Sequence, residues 1–286
     1  MEVAIIDTHI HIWDFTRARY GWLDNDTSIL KRTYAIEEIE VQRVAAGVRA
    51  GVLVQAANNL EDTDWILEVA THTDWIAGVT GWLPLADPEE AERVYAQRYK
   101  GQPLFKGVRH LIHDETDPRW LLQPTVIEGL RLLAREGLVF ELVGVRPEHI
   151  ETALEVAVLV PRLRMIFDHL NQPPIASGER FGRWGALMKE ACGHPSFLAK
   201  ISGLGATSAM GDRWTAKDIE PYVEFILTHF GVERCCCGSD WPVSLLAGTY
   251  ERTWKVYREA LASLLDASGQ AAVLGENAVR FYGLNL

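Results

Sequence analysis

Eight times along its 286 residues, this chain passes from a short apolar or β-branched run into a longer amphipathic stretch. The short runs are Val3 to Thr8, Gly51 to Gln55, Ile76 to Gly81, Gly107 to Leu111, Val139 to Val143, Arg164 to Asp168, Phe197 to Ser202 and Arg234 to Gly238. The intervening stretches are Ile36 to Val48, Leu60 to Thr71, Pro88 to Tyr99, Val126 to Arg135, Pro147 to Val160, Phe181 to Ala191, Ala216 to His229 and Tyr250 to Leu265. Strand-length runs alternating with helical-period segments predict parallel strands joined by crossover helices, because a parallel neighbour is reached only by a connection that returns along the sheet. Eight such units close on themselves. The expected fold class is therefore α/β, a (β/α)8 TIM barrel forming a single domain over residues 1–286. The runner-up, an open doubly wound sheet, is marked by a Gly-x-Gly-x-x-Gly turn after a strand. The nearest run, Gly203-Leu204-Gly205-Ala206-Thr207-Ser208, lacks the third glycine and reads as a flexible loop.

Composition narrows the partners. With 39 acidic and 28 basic side chains the formal charge is -11, which disfavours a nucleic-acid backbone or an anionic membrane surface. No window approaches the roughly 20 consecutive apolar residues of a membrane span. Met1 to Ile6 lacks the basic flank, apolar stretch and small-residue cleavage pattern of a secretory signal. Cys192 stands alone and Cys235, Cys236 and Cys237 are consecutive, so no disulfide framework is expected and a reducing cytoplasm is the expected setting. Strand geometry sends Cys236 to the face opposite Cys235 and Cys237, which favours buried small side chains over a metal site. The loop from Trp13 to Thr33 is long and aromatic, as a lid over a pocket is.

In a barrel of this kind chemistry gathers where the strands end. The first run delivers His9 and His11, whose alternation places both imidazoles on one side, in reach of one divalent ion. The fourth delivers Arg109 and His110, the fifth Glu141, the sixth Asp168 and His169, the seventh Lys200 and Ser202, and the eighth Ser239, Asp240 and Trp241. Side chains of these types are costly in a dry core, yet they recur at the same end of successive strands. Plainer roles compete with the chemical ones. Asp240 can cap a following helix, His169 can close a turn, Glu141 can pair with Arg109, and Lys200 can face the outer helices. His72, His149, His194 and His229 fall in helical or loop stretches and read as surface residues.

The motifs in order resemble those of the lactonase branch of the amidohydrolase superfamily. They are Asp7-Thr8-His9-Ile10-His11-Ile12-Trp13, Tyr20-Gly21-Trp22-Leu23, Lys106-Gly107-Val108-Arg109-His110, Phe167-Asp168-His169-Leu170, Lys200-Ile201-Ser202-Gly203-Leu204, Gly238-Ser239-Asp240-Trp241-Pro242 and the closing Leu274-Gly275-Glu276-Asn277-Ala278-Val279-Arg280-Phe281-Tyr282. The resemblance covers essentially the whole chain. It implies a hydrolase of sugar-acid or related lactones, with His9 and His11 matching the histidine pair, His169 the sixth-strand histidine and Asp240 the eighth-strand aspartate. The fifth strand departs from the superfamily pattern: Glu141 stands where many relatives carry a histidine or a carboxylated lysine. That disfavours a bridged two-metal centre and leaves one divalent ion, Zn²⁺ first and Mn²⁺ second, or none.

On this reading His9, His11, Asp240 and Glu141 hold the ion, Asp240 takes a proton from water and returns it to the ring alkoxide, and His169 orients the water or the carbonyl. Arg109, His110 and His113 bind the substrate's hydroxyls or a carboxylate, and Trp13, Trp22 and Trp241 wall the pocket against a sugar ring. The expected partner is a small-molecule lactone such as L-fucono- or L-rhamnonolactone, with a homo-oligomer compatible. The competing functions are a decarboxylase or carbon–carbon hydrolase of the same superfamily, a metal-independent lactonase of a dicarboxylate lactone, and a non-catalytic barrel that binds a small ligand.

Overall fold

A computed structural model of the protein describes residues 4–286. Its eight strands form one sheet in chain order: β1 (Ile5–Ile10), β2 (Val48–Val54), β3 (Ile76–Gly81), β4 (Phe105–His110), β5 (Val139–Leu142), β6 (Arg164–Phe167), β7 (Phe197–Ile201) and β8 (Cys235–Cys237). Every adjacent pair is parallel. The circle closes just beyond β8, where His11 N donates to Trp241 O at 2.7 Å and Asp240 N donates to His9 O at 2.8 Å. These two bonds join the segments that carry the His-x-His pair and Asp240, so closing the barrel also assembles the site.

The outer layer comprises α1 (Glu40–Ala46), α2 (Leu60–Thr71), α3 (Pro88–Val94), α4 (Pro124–Glu136), α5 (Pro147–Leu159), α6 (Gly182–Ala191), α7 (Leu204–Ser208), α8 (Ala216–Phe230) and α9 (Tyr250–Leu264), followed by α10 (Ala267–Ala271) and α11 (Asn277–Tyr282). Local chemistry sets their starts. The Asn59 side chain accepts from Asp62 N ahead of α2, and the Asp87 side chain accepts from Glu90 N with Pro88 opening α3. Strand ends lie within a few residues of expectation, with Val3 of the first expected run outside the described residues. The Gly203–Ser208 run folds as the short α7 rather than a flexible loop, because Gly203 O receives both the amide and the hydroxyl of Thr207. His149, expected at the surface, is buried on α5, where its Nδ1 accepts from Val145 N at 3.0 Å.

Strand alternation divides the core in two. Ile6, Val52, Val54, Val139, Ile166 and Cys236 fill the barrel together with Phe281, Tyr282 and Leu284, so the C-terminal α11 plugs the end opposite the site. Cys235 and Cys237 face the helices in the larger outer core. All four cysteines are free thiols, and the triple-cysteine strand serves packing. The aromatic loop is tied across the mouth: Trp13 bridges Tyr34, and the Tyr20 hydroxyl donates to Asp62 Oδ1 at 2.9 Å. Among the described residues no helix is long and apolar enough to cross a membrane.

Candidate active site

A cavity of about 300 Å³ opens at the C-terminal end of the strands. His11, Arg109, His113, His169 and Asp240, with Gln172 and Thr207, supply its polar lining, and Trp22, Leu111, Val143, Val145 and Val243 most of its apolar wall. Asp240 sits at its floor, held by an unusual backbone. Its φ is +63°, a left-handed conformation that costs a non-glycine residue of order 1–3 kcal/mol and persists only where surroundings enforce it. Here the enforcing contacts are Asp240 N to His9 O and Ser244 N to Asp240 O, both 2.8 Å. The carboxylate caps no helix and turns toward three imidazoles. Asp240 Oδ1 lies 3.5 Å from His11 Nε2, 3.8 Å from His9 Nε2 and 3.9 Å from His169 Nε2.

His169 reaches this position through a second left-handed segment. Four successive residues, His169, Leu170, Asn171 and Gln172, have φ between +51° and +53°. Trp184 Nε1 donates to Leu170 O at 2.8 Å and His169 N to Ser202 Oγ at 3.2 Å, which pins the turn. Ser202 Oγ also lies 2.8 Å from His169 Nδ1, so the ring is aimed as well as placed. His169 thus closes a turn and faces the cavity at once. Gly203 is the glycine this packing demands: a Cβ there would stand 2.6 Å from His169 Nδ1 and 2.9 Å from Asp240 Oδ2, at a φ of +61°.

Burial governs the protonation of these groups. It pushes the Asp240 carboxyl up to about 6, against the pull of His169 and Arg109. Burial, with Arg109 next, holds His11 down to about 3, and burial with Lys200 holds His9 well below the usual imidazole range. At neutral pH the site therefore holds neutral imidazoles around a carboxylate poised near the working pH.

The donor set fits a divalent ion by position. His11 Nδ1 lies 2.8 Å from Val54 O, a carbonyl that can only accept, so Nδ1 carries the proton and the Nε2 lone pair faces Asp240. Two ligands at about 2.0–2.1 Å from a tetrahedral ion stand about 3.4 Å apart. His11 Nε2 and Asp240 Oδ1 are 3.5 Å apart, and His9 belongs to the same group of potential ligands. A water molecule donating to both acceptors fits the same gap.

Several expected members stand elsewhere. Glu141 is absent from the group around His11 and Asp240. It lies one layer deeper, its Oε1 accepting from Thr80 Oγ1 at 2.9 Å and the Tyr282 hydroxyl at 2.7 Å, its Oε2 from Lys200 Nζ at 2.6 Å. With both oxygens engaged by protein donors, Glu141 neither reaches that group nor pairs with Arg109. Arg109 donates instead to Gln55 O at 2.7 Å and approaches Asp168 Oδ2 at 3.4 Å. His110 is turned out of the cavity, because neighbours on a strand point to opposite faces. It receives Trp82 Nε1 at 3.0 Å, meets Glu115 at 2.7 Å and stacks on Trp120 at 3.9 Å. Trp13 and Trp241 form a buried layer around Tyr34 behind the wall, and of the three expected tryptophans only Trp22 lines the cavity. Lys200 faces inward, not toward the helices. Gln172 was not anticipated; its place three residues after His169, at the end of the left-handed turn, brings it to the cavity, and no local pattern announces such a turn.

Comparison with known proteins agrees with this barrel. A family model described as Amidohydrolase matches residues 6–284, and the chain belongs to that family. It is 32% identical over 98% of its length to an L-fucono-1,5-lactonase of Burkholderia ambifaria, 96% of which is covered. A second L-fucono-1,5-lactonase, from Burkholderia multivorans, is 30% identical, with 99% of this chain and 97% of the relative covered. A solved amidohydrolase structure from Burkholderia multivorans, with bound zinc, is 29% identical and superposes with a TM-score of 0.89 over 99% of this chain and 100% of the other.

Proposed function

We propose that the protein hydrolyses the ester bond of a sugar-acid lactone, an aldonolactone of the L-fucono or L-rhamnono type. The observation that carries this reading is the floor of the cavity, where Asp240 and His11 present two acceptors 3.5 Å apart beside Arg109. The names of the two relatives that match nearly the full chain supply the substrate class.

The chemistry follows from what these groups can do. A water donating to Asp240 Oδ1 and His11 Nε2 is deprotonated by Asp240 as its oxygen attacks the lactone carbonyl. A carboxyl near 6 is well matched to this, being ionised at pH 7 yet acidic enough, once protonated, to return the proton. Arg109 and His169 line the same cavity and are placed to steady the carbonyl oxygen as it gains charge. Collapse of the tetrahedral adduct breaks the ring C–O bond, and the proton on Asp240 passes to the departing alkoxide. Lactone and water become a hydroxy acid, with no change in oxidation state. One divalent ion, zinc first, would be held by His11 and Asp240 with His9 alongside, where it would polarise the carbonyl and lower the pKa of water. Trp22, His113 and the apolar wall would set which ring fits.

The test is a panel of L-fucono-, L-rhamnono- and D-glucono-1,5-lactones, a dicarboxylate lactone and an aromatic β-hydroxy acid, with ring opening and CO₂ release followed by NMR. Ring opening of at least one aldonolactone at a kcat/KM above 10⁴ M⁻¹s⁻¹, roughly the lower bound for working enzymes, is expected. Turnover confined to decarboxylation, or no ring opening above background, would refute the reading.

A further inference from the structure

A second hollow, of about 780 Å³, lies beside the cavity, with Phe15, Arg17, Arg19 and Asn59 in its lining. Trp22 and Leu111 line both spaces, so these two side chains form the wall between them. The β2–α2 loop divides at the same place, with Ala56 on the cavity and Ala57 on the outer hollow. At about 300 Å³ the cavity lies at the lower end of the roughly 300–1,000 Å³ usual for small-molecule sites. Joined to the outer hollow it would admit a substrate with a second ring. Whatever keeps the wall in place sets the size of the substrate.

The wall is tied together by a buried carboxylate that the hydrolytic steps do not use. Asp62, in the first turn of α2, is fully buried. Its Oδ2 accepts from Ala56 N at 2.8 Å and Ala57 N at 3.3 Å, and its Oδ1 from the Tyr20 hydroxyl at 2.9 Å. Tyr20 and Trp22 share one tight turn, closed by Leu23 N donating to Tyr20 O at 3.0 Å. The Trp22 indole N–H donates back to Ala56 O at 2.8 Å, which completes a ring of contacts that begins and ends at the β2–α2 loop. Trp13 stands edge-on to Trp22 with ring centres 5.3 Å apart, and Leu111 N donates to Asn58 Oδ1 at 2.8 Å. Capping of α2 does not account for the carboxylate, because the Asn59 side chain already serves as the cap by accepting from Asp62 N. A buried carboxylate is tolerated only where donors surround it, and the donors here all belong to the two loops that carry the wall.

We propose that Asp62 and Tyr20 are positioning residues that hold Trp22 as a fixed wall, and that this wall restricts the enzyme to lactones of a single ring, excluding those that carry a second. Neither residue lines the cavity; their effect reaches the substrate through Trp22. The holding of Trp22 stands apart from the reaction, while the size limit rests on the reading of the site as a lactone hydrolase.

The test has two readouts. The first is hydrogen exchange at the Trp22 indole N–H, followed by ¹H–¹⁵N NMR and assigned by its loss in Trp22→Phe. Tyr20→Phe removes the hydroxyl and keeps the ring, and exchange is expected to quicken at least about tenfold, as loss of a hydrogen bond to a charged group implies. Asp62→Asn keeps an acceptor for Ala56 N and turns an amide N–H toward the Tyr20 oxygen, which can accept, so protection is expected to persist; Asp62→Ala should lose it. The second readout is the ratio of kcat/KM for L-fucono-1,5-lactone to that for its 3-O-benzyl ether. The wild type is expected to favour the plain lactone at least about 100-fold, and both Trp22→Ala and Tyr20→Phe to narrow that ratio at least about tenfold. Gly101→Ala, strained at a glycine with open space around it, is expected to move neither readout, which separates positioning from a general loss of stability. Wild-type exchange at Trp22 in both Tyr20→Phe and Asp62→Ala overturns the positioning role, and an unchanged ratio in Trp22→Ala overturns the size limit. Absence of any lactone turnover, with Trp22 exchange as stated, counts against the hydrolytic reading and leaves the positioning of Trp22 standing.

Discussion

Gly203→Ala is the perturbation whose consequences follow most directly from the geometry. An alanine at φ +61° carries a backbone penalty of about 1–2 kcal/mol, which in a chain of this size lowers Tm by about 2–8 °C. The added Cβ would stand 2.6 Å from His169 Nδ1 and 2.9 Å from Asp240 Oδ2, so against an ordinary contact of 3.4 Å these atoms must give by about 0.8 and 0.5 Å. Neither yields freely. His169 is bonded to Ser202, and Asp240 is fixed by backbone bonds to His9 and Ser244. Misplacement approaching 1 Å costs catalysis about 100-fold. The expected result is a modest fall in Tm with a kcat/KM about 100-fold down, read by differential scanning calorimetry and NMR of lactone opening. Gly101→Ala is the control: its φ is +86° but nothing lies within 4 Å of the added Cβ, so it should lose similar stability and no activity. Retention of more than about a third of the activity in Gly203→Ala, or equal activity loss in Gly101→Ala, would refute this account of the site.

Asp240→Asn should reduce kcat by about 10²–10⁴, the range for removing a general base, while Tm at pH 7 holds or rises because a buried carboxylate is relieved. The sign follows from a folded-state pKa raised from 3.8 to about 6: the stability linked to this group is fully present below pH 3.8 and lost as pH rises through 6, whereas the ionised base is available only above 6. In chelator-treated enzyme kcat/KM should therefore fall about tenfold between pH 7 and pH 5, and a flat profile across that interval would remove Asp240 from the role of base. Arg109→Met and His110→Ala should separate, the first raising KM or lowering kcat by at least about tenfold, the second costing stability with kcat/KM within about threefold. Equal kinetic losses in the two would contradict the outward turn of His110.

Much of the architecture was legible because it is periodic. Apolar runs of strand length, helical stretches between them and capping residues such as Asn59 and Asp87 are local signals, and they predict eight strands within a few residues of their ends. That His11, Arg109, His169 and Asp240 gather at the cavity, with His9 beside them, was likewise readable, since each lies at the end of a strand in a fold that gathers polar groups there. The length of β1 is less local. Its pairing with β2 and the segment after β8 carries it to Ile10, two residues past the apolar run that announces it.

By itself, then, the order of residues determines which side chains arrive at the mouth of the barrel, because strand and helix periods are properties of neighbours along the chain. Which way those side chains turn, and which partners they meet, was decided by tertiary structure. Arg109 enters the cavity while His110 leaves it for Trp82 and Trp120, and Trp22 lines the pocket while Trp13 and Trp241 pack behind it. Glu141 finds Lys200, 59 positions away, and His9 finds the same lysine 191 positions away. A charge in the sequence carries no mark of the counter-charge that will make its burial tolerable. That pairing exists only once eight strands close and bring β1, β5, β6 and β7 to within a hydrogen bond of one another.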